Sequence, residues 1–210
     1  AADAVAVVGD GDFKVSGRLR AWTADGSANL QRGRDRAEVA LKARGDGEAA
    51  KIDTLRAVMP GGRLDAAGDI IWAPTLRWRL DAALAGFDPG YFAPDWRGAV
   101  QGRLRLGGDT RRDSGLDVRV EASDPGGRLR GRVLGGRADV IAHLPANEGG
   151  RTDVEGMVAL RLGDSRIDAK GKVAADIVVD AELAPLQLAD LLPQGQGMLR
   201  GRVALRGPRT

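Results

Sequence analysis

Between residues 166 and 183 the chain alternates with period two over eighteen positions. The odd positions are Ile167, Ala169, Gly171, Val173, Ala175, Ile177, Val179, Ala181 and Leu183, all apolar or glycine. Seven of the nine even positions are charged: Arg166, Asp168, Lys170, Lys172, Asp176, Asp180 and Glu182. A helix cannot sort side chains in this way, because its faces recur about every 3.6 residues. A strand does, sending successive side chains to opposite faces.

The same phase returns along the chain. Val15 and Leu19 alternate with Ser16, Arg18 and Arg20, and Val39 and Leu41 with Glu38 and Lys42. Leu64, Ile70 and Trp72 oppose Arg63, Asp65 and Asp69. Past Pro74, Leu76, Trp78, Leu80 and Leu84 oppose Arg77, Arg79 and Asp81. Leu104 and Leu106, Val118 and Val120, and Val158 and Leu160 continue the apolar phase. Val8, Trp22 and residues 49–59 have no clear phase, and no amphipathic helix longer than two turns is legible. Turn-forming residues separate the runs: Asp25-Gly26, Asp46-Gly47, Pro60-Gly61-Gly62, Pro125-Gly126-Gly127, Glu148-Gly149-Gly150 and Gly163-Asp164. The expected fold is all-β, a set of antiparallel strands joined by short turns, with one face apolar throughout.

The chain also resembles itself. Val15-Ser16-Gly17-Arg18-Leu19-Arg20 returns as Val100-Gln101-Gly102-Arg103-Leu104-Arg105 and as Leu199-Arg200-Gly201-Arg202-Val203-Ala204, with glycine spacings of 85 and 99 residues. Arg63-Leu64-Asp65-Ala66 matches Arg166-Ile167-Asp168-Ala169, and Asp81-Ala82-Ala83-Leu84 matches Asp180-Ala181-Glu182-Leu183. Fixed-period self-similarity signals a one-dimensional array. The expected organisation is a repeat at 1–84, a crossing at 85–98, a repeat at 99–183, a crossing at 184–198, and the first strand of a truncated third repeat at 199–210. Each repeat holds about five or six strands. The first crossing carries Phe87, Tyr91, Phe92 and Trp96 among prolines; the second carries Leu186, Leu191 and Leu192, enough for one helical turn. Both are too apolar for solvent loops. They are expected to cross the open mouth of a curved sheet and lay these side chains on its apolar face.

An apolar sheet face needs cover: a second sheet, a helix layer or closure into a barrel. Helices are missing, and this face is rich in Ala, Gly and Val. Small side chains leave room for thin apolar cargo, such as acyl chains, in a sheet that curls along its length and stays open on one side.

At this point the chain resembles a known family. The crossing Leu84-Ala85-Gly86-Phe87-Asp88-Pro89-Gly90-Tyr91-Phe92-Ala93-Pro94-Asp95-Trp96-Arg97-Gly98, followed by Val100-Gln101-Gly102-Arg103-Leu104-Arg105-Leu106, is similar to the linker-plus-strand unit of TamB proteins, within the wider AsmA-like group. Leu183-Ala184-Pro185-Leu186, Leu191-Leu192-Pro193 and Asp164-Ser165-Arg166-Ile167-Asp168-Ala169-Lys170-Gly171 resemble it too. The likeness covers the whole chain and is one of pattern, without a catalytic motif. It implies a middle stretch of a long, taco-like β-groove in the periplasm of a Gram-negative bacterium. The intact protein would be anchored in the inner membrane, and its groove would carry phospholipid to the outer membrane. A TamA-like barrel partner and the membranes themselves would be met through N- and C-terminal regions absent here. The apolar-phase residues named above would line the groove.

Other chemistry is thinly represented. The chain has no cysteine and a single histidine, His143, which excludes disulfides, thiolate sites and multi-histidine metal sites. No run of about 18 apolar residues spans a membrane, and no signal-peptide pattern opens the chain. Its abrupt ends suggest a fragment of a longer protein. The pI near 9.7 invites a nucleic-acid reading, but 32 basic and 29 acidic residues are interleaved, and aromatics are only 4%. No nucleic-acid partner, cofactor, metal or enzymatic activity is expected. Gly9-Asp10-Gly11-Asp12 reads as a turn rather than a calcium loop, and His143 as structural. Asp65, Asp81, Asp168 and Asp180 alternate with Arg and Lys, as an ion-paired exterior does better than a glycosidase carboxylate pair. Trp72, Trp78 and Trp96 read as groove filler. The alternatives are a β-sandwich or β-solenoid binding or adhesion module filled by its own second sheet, and a strand-pairing scaffold for outer-membrane protein assembly.

Overall fold

The computed structural model describes residues 7–111, 115–147, 150–192 and 195–209. Thirteen strands follow one another: β1 (Val7–Arg18), β2 (Ala21–Arg32), β3 (Asp35–Gly45), β4 (Ala49–Met59), β5 (Gly62–Ile71), β6 (Arg77–Phe87), β7 (Gly98–Thr110), β8 (Leu116–Leu129), β9 (Arg132–Leu144), β10 (Asp153–Leu162), β11 (Ser165–Val173), β12 (Asp176–Gln187) and β13 (Met198–Pro208). Each is hydrogen-bonded antiparallel to its sequence neighbours, and β1 and β13 have one neighbour apiece. The sheet is therefore all-β, open and uncurled. Besides strands there are two 3₁₀ turns, Pro89–Tyr91 and Pro94–Trp96, and one helical turn, α1 (Leu188–Leu191).

Residues paired across an antiparallel ladder share a face, so the apolar phase can be followed from strand to strand. Phe13 opposes Gly26, which opposes Leu41, which opposes Leu55. Ile70 opposes Trp78; Leu80 opposes Leu106, and Leu106 opposes Val120. Val158 opposes Ala169, Ala169 opposes Ala181, and Ala181 opposes Val203. All thirteen strands thus present a single apolar floor.

Several local expectations are corrected. Asp25-Gly26 is not a turn but the middle of β2. Gly26 is there because a Cβ would meet the Phe13 ring at 2.3 Å. Gly9-Asp10-Gly11-Asp12 is strand in β1, not a turn. Pro125-Gly126-Gly127 lies inside β8 as a bulge, shown by register shifts against both β7 and β9. The true β8–β9 turn is Arg130-Gly131, both at positive φ, the backbone that a two-residue hairpin turn requires. Glu148-Gly149 lies outside the described residues. The unclear phase of 49–59 also has a cause. β4 carries one extra residue near Asp53 and Thr54, so its floor positions change parity between Ile52 and Leu55.

The 99-residue repeat is structural at both crossings. β6 takes an extra residue between Leu84 and Phe87, opposite Gly102 and Val100. β12 does the same between Leu183 and Leu186, opposite Gly201 and Leu199. Arg63 and Arg166 each stand second in their strands, β5 and β11. The match to Gly17 is of residues only: Gly17 pairs with Trp22 beside the β1–β2 turn, at the opposite end of the strand from Gly102 and Gly201.

Most floor side chains are half-buried, since no second layer covers them. Full burial is concentrated at one edge, the one from which both crossings leave. Tyr91 packs there with Ala37 and Met59, flanked by Leu30 and Phe87. Val100, Leu134 and Leu162 form a second cluster with Leu84, Leu129 and Leu160. The sheet is sealed along this edge and open elsewhere.

Candidate functional site: an uncharged floor with one sealed edge

Of the twenty-two floor residues expected from the sequence, nineteen lie on the apolar face within strands. Leu19 does not: it sits in the β1–β2 turn, 88% exposed. Trp72 and Leu76 fall in the β5–β6 connection, where Trp72 Nε1 donates to the Gly47 carbonyl at 2.8 Å. Proline at 74 and the turn geometry around it end the alternation there. Phe13, Trp22, Ile52, Leu55, Met59 and Val140 are floor residues that alternation alone did not assign. Among the described residues and outside the bulges, charged floor positions occur only beside the sealed edge: Arg32, Asp35 and Arg132.

Two of those charges hold the crossings down. Arg32, at the end of β2, donates to the main-chain carbonyl of Tyr91. Arg132, at the start of β9, is paired with Asp190 of α1, and Arg130 donates to the Asp190 carbonyl at 3.0 Å. Asp190 is 3% exposed and also accepts from the Ser165 hydroxyl, which in turn accepts from the Gln187 N–H at 2.9 Å. Tyr91 and Asp190 are 99 residues apart, so the two latches occupy equivalent places with different chemistry. Only an alignment of the two crossings carries a sequence signal for this pair.

The crossings lie along the edge they leave. Their expected contacts are met unevenly: Tyr91 and Leu186 are buried, Phe87 is half-buried, and Phe92 and Leu192 are 62% and 56% exposed. Trp96 stacks under Arg130, 5.5 Å from ring centroid to guanidinium carbon. The side chain of Leu191 lies outside the described residues. The Tyr91 hydroxyl is buried without a partner among the described residues, which costs about 1–3 kcal/mol. Tyr91→Phe is therefore expected to leave the folding free energy unchanged or raise it by up to about 1 kcal/mol. A chemical-denaturation curve that instead shows a loss of that size would mean the hydroxyl is bonded.

The opposite face is an ion-paired exterior. Arg105 bridges Asp81 at 2.9 Å and Glu121 at 3.2 Å, and Arg119 bridges Asp139 and Glu121 at 2.7 and 2.9 Å. Asp180 pairs with Arg206 at 2.7 Å. The Arg56 hydrogen bond to Asp65, at 2.6 Å, holds that carboxyl below the usual range, which unsuits it to general-acid work. His143 Nδ1–H donates to the Asp117 carboxylate at 2.8 Å. A depression of about 930 Å³, open to solvent, is lined by Arg44, Lys51, Asp69 and Arg79 of this face and also by Trp22 and Trp78 of the floor. The floor itself is an open strip.

A family profile described as TamB, N-terminal domain, matches residues 2–210. The chain belongs to the TamB family. No solved structure matches it. TamB proteins are a transport and assembly module of the bacterial envelope, not an enzyme family, and work with outer-membrane partners. The TamB role is thus in assembly of the envelope and its outer membrane. Sequence patterning suggested a middle stretch of the TamB groove; the matching profile is the one named for the N-terminal domain. No helix among the described residues is long and apolar enough to cross a membrane.

Proposed function

We propose that this TamB segment is a stretch of a periplasmic bridge whose apolar floor carries phospholipid acyl chains between the inner and outer membranes. The observation that supports this is the floor itself. It runs uninterrupted across thirteen strands, uncharged except beside one edge, and no second layer covers it. Moving one CH₂ into water costs about 0.8 kcal/mol. A two-chain lipid crossing bare would therefore lose on the order of 20 kcal/mol. A floor of near-equivalent small apolar side chains lets the chains slide without leaving an apolar surface, while the headgroup stays wet. The domain boundaries proposed from the sequence, with crossings at 85–98 and 184–198, make each crossing a clamp between successive lengths of floor.

The test is a photo-crosslinking residue at Val179, a floor position opposite Gly171 and Leu205, in the intact protein in cells. Phospholipid adducts are expected at Val179 and absent at Lys170, on the charged face. Adducts at neither site, from a well-folded protein, would overturn the reading.

A further inference from the structure

The two edges of the floor are built differently. The crossings and the charged floor positions lie along the sealed edge, and those charges are engaged: Arg32 with the Tyr91 carbonyl, Asp35 with Arg97 at 3.8 Å, and Arg132 with Asp190. The β1–β2, β3–β4, β5–β6 and β7–β8 connections lie at the opposite, open edge. That edge collects Trp22, Trp72 and Trp78. The fourth tryptophan, Trp96, is stacked under Arg130 in the first crossing.

Trp22 and Trp78 stand in one cross-strand row, each second in its strand. Trp22 opposes Gly45, Gly45 opposes Ala50, Ala50 opposes Ile70, and Ile70 opposes Trp78, which opposes Gly108 in turn. Both rings reach over a glycine of the next strand. A Cβ on Gly45 would collide with the Trp22 ring, and one on Gly108 with the Trp78 ring. Trp22 Nε1 donates to the Asp46 carbonyl at 3.1 Å, and Trp72 Nε1 to the Gly47 carbonyl at 2.8 Å, so both indoles turn their polar side to the edge. Trp78 is half-buried, and its Nε1–H has no partner among the described residues. An indole joins a large apolar ring to one N–H donor, and it is favoured where hydrocarbon gives way to polar groups.

We propose that this row fixes how a phospholipid lies on the floor. Its glycerol ester groups rest at the level of Trp22 and Trp78, its headgroup projects past the open edge into water, and its acyl chains run along the strands toward the middle of the sheet. This rests on the floor carrying acyl chains. Trp78 is a positioning residue whose free N–H donates to an ester carbonyl. The two rings are four strands apart, about 19 Å, so they mark one level at two places along the rim. The lengths agree. One leaflet of a bilayer holds its hydrocarbon within about 15 Å. Four residues along a strand cover about 14 Å, which carries the chains from Trp22 to Gly26 and from Trp78 to Ala82. Gly26 and Ala82 again share a row, through Leu41, Leu55 and Ala66, and that row is short of the sealed edge.

The test uses the intact protein and phosphatidylethanolamine vesicles doped with a phosphatidylcholine that carries a diazirine on one acyl chain. In one lipid the diazirine stands beside the carboxyl group, in the other at the chain end. Adducts are mapped by peptide mass spectrometry. The carboxyl-side diazirine is expected to mark the row of Trp22 and Trp78, and the chain-end diazirine Leu41, Leu55 and Ala82. Trp78→Phe keeps an apolar ring and removes the N–H. It should lower carboxyl-side labelling around position 78 about fivefold relative to that around Trp22, with the chain-end pattern unchanged. The reverse order, or the same residues marked by both lipids, overturns the orientation but leaves acyl binding standing. Unchanged labelling in Trp78→Phe overturns the part given to its N–H. Adducts from neither lipid on any floor peptide overturn the orientation and the floor reading together. Should Trp78→Phe not fold, the two wild-type maps decide the orientation.

Discussion

Asp190→Ala is expected to lower the thermal midpoint of the protein by about 6–12 °C, the equivalent of about 3 kcal/mol in a chain of this size. Asp190 is 3% exposed and carries three interactions at once: the Arg132 guanidinium, the Ser165 hydroxyl and, through its carbonyl, Arg130. Alanine removes the carboxylate and leaves Ser165, 2% exposed, without its acceptor. Removing one partner of a buried pair costs about 3–5 kcal/mol. The lower end applies because the Arg132 side chain is 38% exposed and regains water. Differential scanning calorimetry measures the shift, and limited proteolysis should cut the second crossing first. A midpoint within 2 °C of wild type would mean the latch does not hold the crossing. Arg32→Ala should cost less, since at the first crossing it removes a single hydrogen bond donated to a main-chain carbonyl.

The second large effect concerns cargo. Leu80→Asp combined with Val179→Asp should remove bound phospholipid from the intact protein while leaving it folded. Both positions are half-buried on the floor, one in each half of the chain, and have no layer above them. A carboxylate there stays in water when the floor is empty, so folding loses at most about 2 kcal/mol of apolar burial per site. When an acyl chain lies over it, the same carboxylate is buried in hydrocarbon, at about 3 kcal/mol. That is more than a hundredfold in affinity. Native mass spectrometry reads the result. Lipid retained at the wild-type level by the doubly substituted protein would show that cargo, if any, lies elsewhere.

The strand faces were legible because alternation is a local signal. Leu80, Leu106 and Val120 can be assigned from their neighbours, and the ladder places them in line. Where one extra residue enters a strand, the signal loses its parity, as at Asp53 and Thr54 in β4. Glycine misleads in the same way: beside Phe13 it serves ring packing, yet Asp25-Gly26 has the composition of a turn. The latches were hidden for another reason. Asp190 meets Arg132 across 58 residues, and nothing in the sequence near either residue announces the other.

The strictly sequential pairing of the strands also bears on how this molecule is made. Every ladder joins a strand to the one before it, so each new strand closes a loop only as long as a hairpin or a crossing. Contacts so close in sequence carry little closure entropy and form quickly. The sheet can grow from its first hairpin onward as the polypeptide emerges, with no step that waits for the far end. The Arg32–Tyr91, Asp35–Arg97, Arg132–Asp190 and Arg151–Arg209 contacts reach back further, across 59, 62, 58 and 58 residues. They fasten each length of sheet after it has formed, which makes assembly directional from the first residue to the last.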